Sequence, residues 1–193
     1  MRLKYVAALF GAALATPAFA QDPPPPSGFR IEAVGGYDLT RINGDMGGAV
    51  YGLGAGYDFR VGRRGSLGLE AEATDSTLDG CEFNLAQPGD SICTAAGRDL
   101  YVGARAGIWL GSRIQLYARA GYTNARFRTR YDDGVAGSAG DFAFSQNLDG
   151  ARIGGGAQFR LGRHAYLGAE YRYSDYEGGG DRSQAVGTLG FRF

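Results

Sequence analysis

Lysine is almost missing from this 193-residue chain: Lys4 is the only one. Histidine occurs once, as His164, and cysteine twice, as Cys81 and Cys93. The formal net charge is zero, which removes the electrostatic case for a nucleic-acid partner. Beyond the N-terminus there is no long apolar run, and the mean hydropathy is −0.22. That excludes a helical membrane protein. It does not exclude a membrane barrel, whose strands need only one apolar residue in two. Proline is scarce at 6 residues, whereas glycine is abundant at 34. So much glycine is incompatible with a helical bundle, and it lacks the strict period of collagen.

The first twenty residues read as an export signal. Arg2 and Lys4 form a basic start, Tyr5 to Leu14 is apolar, and Ala18-Phe19-Ala20 offers a small-x-small cleavage site. The apolar run is shorter than the ~20 residues of a spanning helix. Cleavage is expected after Ala20, leaving 18 basic against 20 acidic residues, all the bases being arginine. Residues 21–28 hold Pro23 to Pro26, a run that favours a stiff polyproline spacer. The predicted organisation is therefore a signal over 1–20, a spacer over 21–28 and one folded domain over 29–193.

From Phe29 onward the pattern has period two, the signature of strands. Phe29, Ile31, Ala33, Gly35, Tyr37 and Leu39 share one face of a first strand, with Arg30, Glu32, Val34, Gly36 and Asp38 on the other. A second strand sets Ala49, Tyr51, Leu53, Ala55, Tyr57, Phe59 and Val61 against Val50, Gly52, Gly54, Gly56, Asp58 and Arg60. Six more segments follow suit. Three tight turns, at 62–65, 111–113 and 162–164, recur at nearly constant spacing, and each follows an apolar residue (Val61, Leu110, Leu161). Longer connections are expected at 40–47, 75–97, 128–146 and 177–182. A repeating hairpin of this kind predicts an all-β fold, an eight-stranded antiparallel up-and-down barrel.

Two barrels could satisfy the alternation. A soluble lipocalin-like barrel turns its apolar face inward, and a membrane barrel turns it outward. Three features favour the membrane barrel. The polar face combines glycine with mid-strand Arg and Glu, and glycine inside a narrow barrel leaves room for a neighbour's long side chain. The aromatics of the apolar face fall into two belts, with Tyr37, Tyr51, Tyr122 and Tyr173 near the long connections and Phe59, Phe159, Phe191 and Phe193 near the tight turns. The export signal, finally, requires a destination outside the cytoplasm.

The segment Leu167-Gly168-Ala169-Glu170-Tyr171-Arg172-Tyr173-Ser174-Asp175-Tyr176 resembles the penultimate strand of the small outer-membrane barrels, the OmpA-type, OmpX-type and opacity-porin-like proteins. The ending Gly190-Phe191-Arg192-Phe193 resembles their C-terminal signal for the barrel-assembly machinery, carried by Phe191 and Phe193. The resemblance covers Phe29 to the end. It implies residence in the cell outer membrane, with termini and tight turns in the periplasm and long loops outside the cell. No peptidoglycan-binding domain is expected after the barrel, unlike the longer OmpA-type chains.

Eight charged residues should converge inside: Glu32, Glu70, Glu72, Arg105, Arg119, Arg152, Glu170 and Arg172. Enclosed charges must pair, since stranding one partner costs ~3–5 kcal/mol. Such a set would act as a salt-bridged plug or as an ion path opened by exchange of partners. The small interior of eight strands favours the plug. Cys81 and Cys93 lie in the longest connection and are expected to form a disulfide after export. A metal site there would have only two thiols and no nearby histidine, so no metal or cofactor is expected. His164 falls in a tight turn, far from where the outer-rim enzymes of this class keep a catalytic histidine, so no enzymatic activity is expected. Arg126, Arg128 and Arg130 share one face of an extended segment and could meet lipopolysaccharide phosphates. Aromatic Tyr131, Phe142 and Phe144 are placed in the outer loops. The first functional expectation is a monomeric structural envelope protein in contact with outer-membrane lipid. A small-solute channel and a soluble periplasmic ligand-binding barrel are the alternatives.

Overall fold

The computed structural model describes residues 26–41, 45–84, 87–135, 139–178 and 180–193. Residues 1–25, which hold the expected export signal, its cleavage site and the first five residues of the expected spacer, lie outside the described residues. Nine strands and no helix occur among the described residues: β1 (Gly28–Arg41), β2 (Asp45–Val61), β3 (Gly65–Ser76), β4 (Asp79–Phe83), β5 (Ser91–Leu110), β6 (Ile114–Asp132), β7 (Phe142–Arg160), β8 (Ala165–Tyr176) and β9 (Gly180–Arg192). Eight of them close into an antiparallel barrel. Each pairs with the next along the chain, except that β3 passes over β4 to pair with β5. Closure comes from β1 against β9, from Arg30 opposite Arg192 to Arg41 opposite Asp181. β4 is an accessory strand, paired only with the first residues of β5.

Turns on one end are short, as the spacing predicts. Gly62 and Gly111 sit in them at φ 63° and 67°, a left-handed conformation that tight hairpins need and glycine adopts without a Cβ clash. The other end differs from the sequence expectation. Much of the connection expected over 75–97 is strand: β3 runs on to Ser76, β4 follows, and β5 begins at Ser91. Most of that expected over 128–146 is strand too, since β6 reaches Asp132 and β7 starts at Phe142. The neighbouring connections are also shorter than expected, with β2 starting at Asp45 and β9 at Gly180. A sheet of β4, β5, β6 and β7 therefore stands beyond the barrel wall. Tyr131, Phe142 and Phe144 belong to this sheet rather than to loops, and Tyr131 stacks on Phe142 with ring centroids 5.2 Å apart.

The faces settle which barrel this is. Leu53, Leu116 and Leu167 are 69%, 43% and 47% exposed, whereas Arg105, Arg119 and Glu170 are 3%, 5% and 6% exposed. Apolar side chains point away from the axis and ionic ones toward it, the reverse of a soluble ligand-binding barrel. An exterior of this kind is stable only against lipid, because the same leucines in water would lose ~1.5–3 kcal/mol each of burial energy.

At the loop end the pattern inverts. On β6, Arg119 and Thr123 point inward and Ala120 and Tyr122 outward. A few residues further on, Ala125 and Phe127 point inward while Arg126, Arg128 and Arg130 share the outward parity. Ala125 and Phe127 pack with Leu78, Ala96 and Tyr176 into a small apolar cluster over the mouth of the barrel. Leu78 is fully enclosed there. Its carbonyl accepts from the Ala96 N–H at 2.9 Å, and its N–H donates to Ser76 Oγ at 3.2 Å.

Candidate functional site

Every barrel strand sends ionic side chains into the lumen. Seven arginines and seven carboxylates lie buried there among the described residues: Arg30, Arg105, Arg119, Arg152, Arg172, Arg182 and Arg192 with Glu32, Asp38, Asp58, Glu70, Glu72, Asp99 and Glu170. The charges balance, as a low-dielectric interior demands.

Twelve of the fourteen form one chain of alternating sign. It starts near the loop end with Asp38 held by Arg182, whose Nη1 also lies 3.1 Å from Asp99. Asp99 pairs with Arg152, which reaches Glu72 at 3.7 Å. Glu72 pairs with Arg172, and Arg172 Nε lies 2.8 Å from Glu170. Arg119 then touches Glu170 at 3.1 Å, Glu72 at 3.3 Å and Glu70 at 2.7 Å. Arg30 continues from Glu70 to Asp58 at 3.4 Å, and Asp58 ends the chain on Arg192 at 2.7 Å. Glu32 and Arg105 branch from it. Glu32 pairs with Arg30, and Arg105 lies 3.6 Å from Glu32 with its guanidinium 3.4 Å over the Tyr117 ring.

Hydroxyl and amide groups take up further lone pairs. Tyr117 donates to Glu170 at 2.7 Å, Tyr166 to Glu32 at 2.7 Å and Tyr176 to Asp99 at 3.1 Å. Thr123 donates to Asp99 at 2.6 Å and Ser76 to Asp38 at 2.8 Å. Glycine makes the space. A Cβ on Gly56 would stand 3.0 Å from Arg30 Nη2, and one on Gly190 would stand 2.2 Å from Tyr166 Cζ.

All eight lumen residues singled out from the sequence are buried in this chain of pairs or on its branch. Six others were missed: Arg30, Asp38, Asp58, Asp99, Arg182 and Arg192. Arg30, Asp38, Asp58 and Arg192 have the same parity as the mid-strand charges but sit near strand ends. Asp99 lies two residues beyond a segment expected as loop, and Arg182 falls in one.

The remaining candidates lie apart from the lumen. Cys81 and Cys93 are opposite one another on β4 and β5 and form a disulfide. Arg126, Arg128 and Arg130 stand on β6 in the projecting sheet, beside Asn147, Ser145 and Ala143 of β7. Between them and the disulfide runs a depression of about 380 Å³ lined by Cys93, Ala95, Arg128, Arg130, Ala143 and Ser145, among others. Phe191 and Phe193 face outward, and Phe193 N donates to the Phe29 carbonyl at 2.8 Å. His164 lies at the turn end, its Nδ1 2.9 Å from the Arg192 carbonyl oxygen. Among the described residues, one group has carboxylates close enough to share a cation: Asp132, Asp133 and Asp141, whose oxygens lie within 4.8 Å of one another. Each already accepts from a backbone N–H, of Gly134, Val135 and Asp133 respectively.

Solved structures share the architecture. Ail, the attachment invasion locus protein of Yersinia pestis, in complex with the heparin analogue sucrose octasulfate, superposes with a TM-score of 0.59 at 14% identity, over 86% of this chain and 99% of that one. Neisserial surface protein A superposes with a TM-score of 0.57 at 17% identity, over 86% of this chain and 98% of that one. No curated protein matches the sequence. The outer membrane protein beta-barrel domain matches over residues 6–193, and with an apolar exterior around an ion-paired lumen the chain belongs to that family and resides in the outer membrane.

Proposed function

We propose that this protein is a closed, non-enzymatic barrel that reinforces the outer membrane and displays the β4–β7 sheet at the cell surface, its tight turns facing the periplasm. The observation that carries this reading is the ion-pair chain from Asp38 to Arg192, which fills the lumen with mutually neutralised side chains under the apolar cluster around Leu78. Opening a solute path would require several of these pairs to separate together, each at a cost of ~3–5 kcal/mol. The sole histidine is engaged with backbone at the turn end, away from the projecting sheet. Phe191 and Phe193, outward-facing at the last strand, suit recognition by the assembly machinery. The test is a planar-bilayer recording of the purified protein. No steady conductance of porin size is expected, and a large, stable one would overturn the reading in favour of a small-solute channel.

The arginine column adds a partner. Arg126, Arg128 and Arg130 follow Tyr122 on the outward parity of β6, so they stand just beyond the apolar exterior. Alternate residues of a strand are ~7 Å apart, and small neighbours leave the guanidiniums room to turn toward phosphate. We read this column as a contact for lipopolysaccharide phosphates. Replacing all three with Gln should reduce lipopolysaccharide co-purification, and unchanged binding would remove the idea.

A further inference from the structure

The side chains of the three tight turns carry charge of one sign. The three tight turns and their flanks hold Arg60, Arg63, Arg64, Arg113, Arg160 and Arg163, together with His164. From Phe59 to Leu67, Ile108 to Gln115 and Gln158 to Leu167 there is no side-chain carboxylate. Asp58, the nearest buried acid, points inward and is engaged by Arg30 and Arg192. The loop end, in contrast, is rich in exposed acids such as Asp75, Asp79, Asp141 and Glu177. A mature chain with a slight excess of acids is thus strongly polarised along its axis.

Each turn also repeats one arrangement. An outward apolar residue (Val61, Leu110 or Leu161) is followed by glycine, and an exposed arginine (Arg63, Arg113 or Arg163) stands two or three residues beyond it. The apolar residue marks the edge of the hydrocarbon. A turn of about three residues runs out and back, so at ~3.3 Å per residue it rises only about 5 Å past the hydrocarbon and keeps the guanidinium within the headgroup layer, which is about 5–7 Å deep. A guanidinium at that depth presents its planar fork to phosphodiester oxygens.

We propose that this arginine ring is a binding surface for anionic phospholipid headgroups in the leaflet that meets the tight turns. It concentrates them around the barrel through Arg63, Arg113 and Arg163. Taking the turns as periplasmic, as proposed above, that leaflet is the inner one of the outer membrane. The lipid preference itself does not depend on that orientation, because a reconstituted bilayer offers the same lipid to both ends.

The test places the purified protein in phosphatidylethanolamine bilayers and measures its association with spin-labelled phosphatidylglycerol against spin-labelled phosphatidylethanolamine. About a fivefold preference per engaged arginine is expected, equivalent to ~1 kcal/mol. It should vanish in 1 M NaCl, where the Debye length falls to ~3 Å. The combined variant Arg63→Gln, Arg113→Gln, Arg163→Gln should reduce the preference below that of the unmodified protein while keeping heat-modifiable gel mobility as its sign of folding. The variant Arg126→Gln, Arg128→Gln, Arg130→Gln should retain the share of the preference that the turn variant lacks, which separates this surface from the lipopolysaccharide contact. Equal association of the two lipids with the unmodified protein would overturn the proposal. So would an undiminished preference in the turn variant. Loss of retention on isolated peptidoglycan by the turn variant, with lipid selectivity unchanged, would overturn it in favour of the cell wall.

Discussion

Asp38 on β1 receives Arg182 of β9 across the closing seam: Arg182 Nε lies 2.8 and 2.9 Å from the two carboxylate oxygens, although the residues are 144 positions apart. Both side chains are enclosed. Asp38→Asn should therefore leave a buried guanidinium short of one charge and cost about 3–5 kcal/mol. Replacing Asp38 and Arg182 together by apolar residues of similar volume should cost much less. Urea unfolding in lipid vesicles measures both. An Asp38→Asn variant as stable as the parent would show that the pair contributes little.

Gly190 faces Tyr166 so closely that a methyl group would stand 2.2 Å from the ring. Gly190→Ala should push Tyr166 off its 2.7 Å hydrogen bond to Glu32 and destabilise the barrel by about 1–3 kcal/mol. Tyr166→Phe in the same background should recover only part of this, because it removes the hydroxyl contact at 2.4 Å and leaves those with the ring carbons at 2.2 and 2.6 Å. Parental stability of the Gly190→Ala variant would mean that the strand shifts to make room.

The Cys81–Cys93 bond ties β4, which has no other paired neighbour, to β5. Mass spectrometry of the unreduced protein should yield a peptide joining the two cysteines. Substituting both with Ser should cost about 3 kcal/mol in the chain-entropy description. That cost should fall on the projecting sheet, seen as faster amide exchange at Ala96, while the thermal transition of the barrel stays in place. A shift of the barrel transition by the same amount would contradict this division.

Tyr131 on the projecting sheet donates to Asp90 at 3.2 Å. Desolvation, and then this bond to a carboxylate, raises its pKa above the ordinary tyrosine value of ~10. The folded sheet thus favours the neutral phenol. The stabilisation is fully present below pH ~10 and is lost as pH rises through the raised value. Amide exchange in the sheet should accelerate on that alkaline limb in the parent, and Tyr131→Phe should flatten the limb. Identical pH profiles would remove the assignment.

The barrel wall was legible in the sequence because lipid and lumen impose opposite demands on alternate residues. Leu116 and Arg119 declare their sides without any coordinates. The projecting sheet was not legible, for a related reason. Beyond Tyr122 the surroundings exchange places, with water outside and the apolar cluster inside. Phe127 then points inward and Arg128 has the outward parity, so a rule of apolar-outward finds no strand. On β5 a register shift between Ala96 and Asp99 adds a change of parity, which concealed Asp99. Arg182 was concealed because its partners Asp38 and Asp99 are distant in sequence and nothing local marks the contact.

The ion-pair chain draws on all eight wall strands, and its two ends depend on β9, through Arg182 and Arg192. A sheet still lacking its final strand would hold Asp38 without Arg182 and Asp58 without Arg192, exposing carboxylates to a hydrocarbon interior that rejects them. Completion of the cylinder is thereby made abrupt: biogenesis has no comfortable halfway stage, and a chain truncated before Arg182 should be handed to proteolysis rather than persist as an open ribbon.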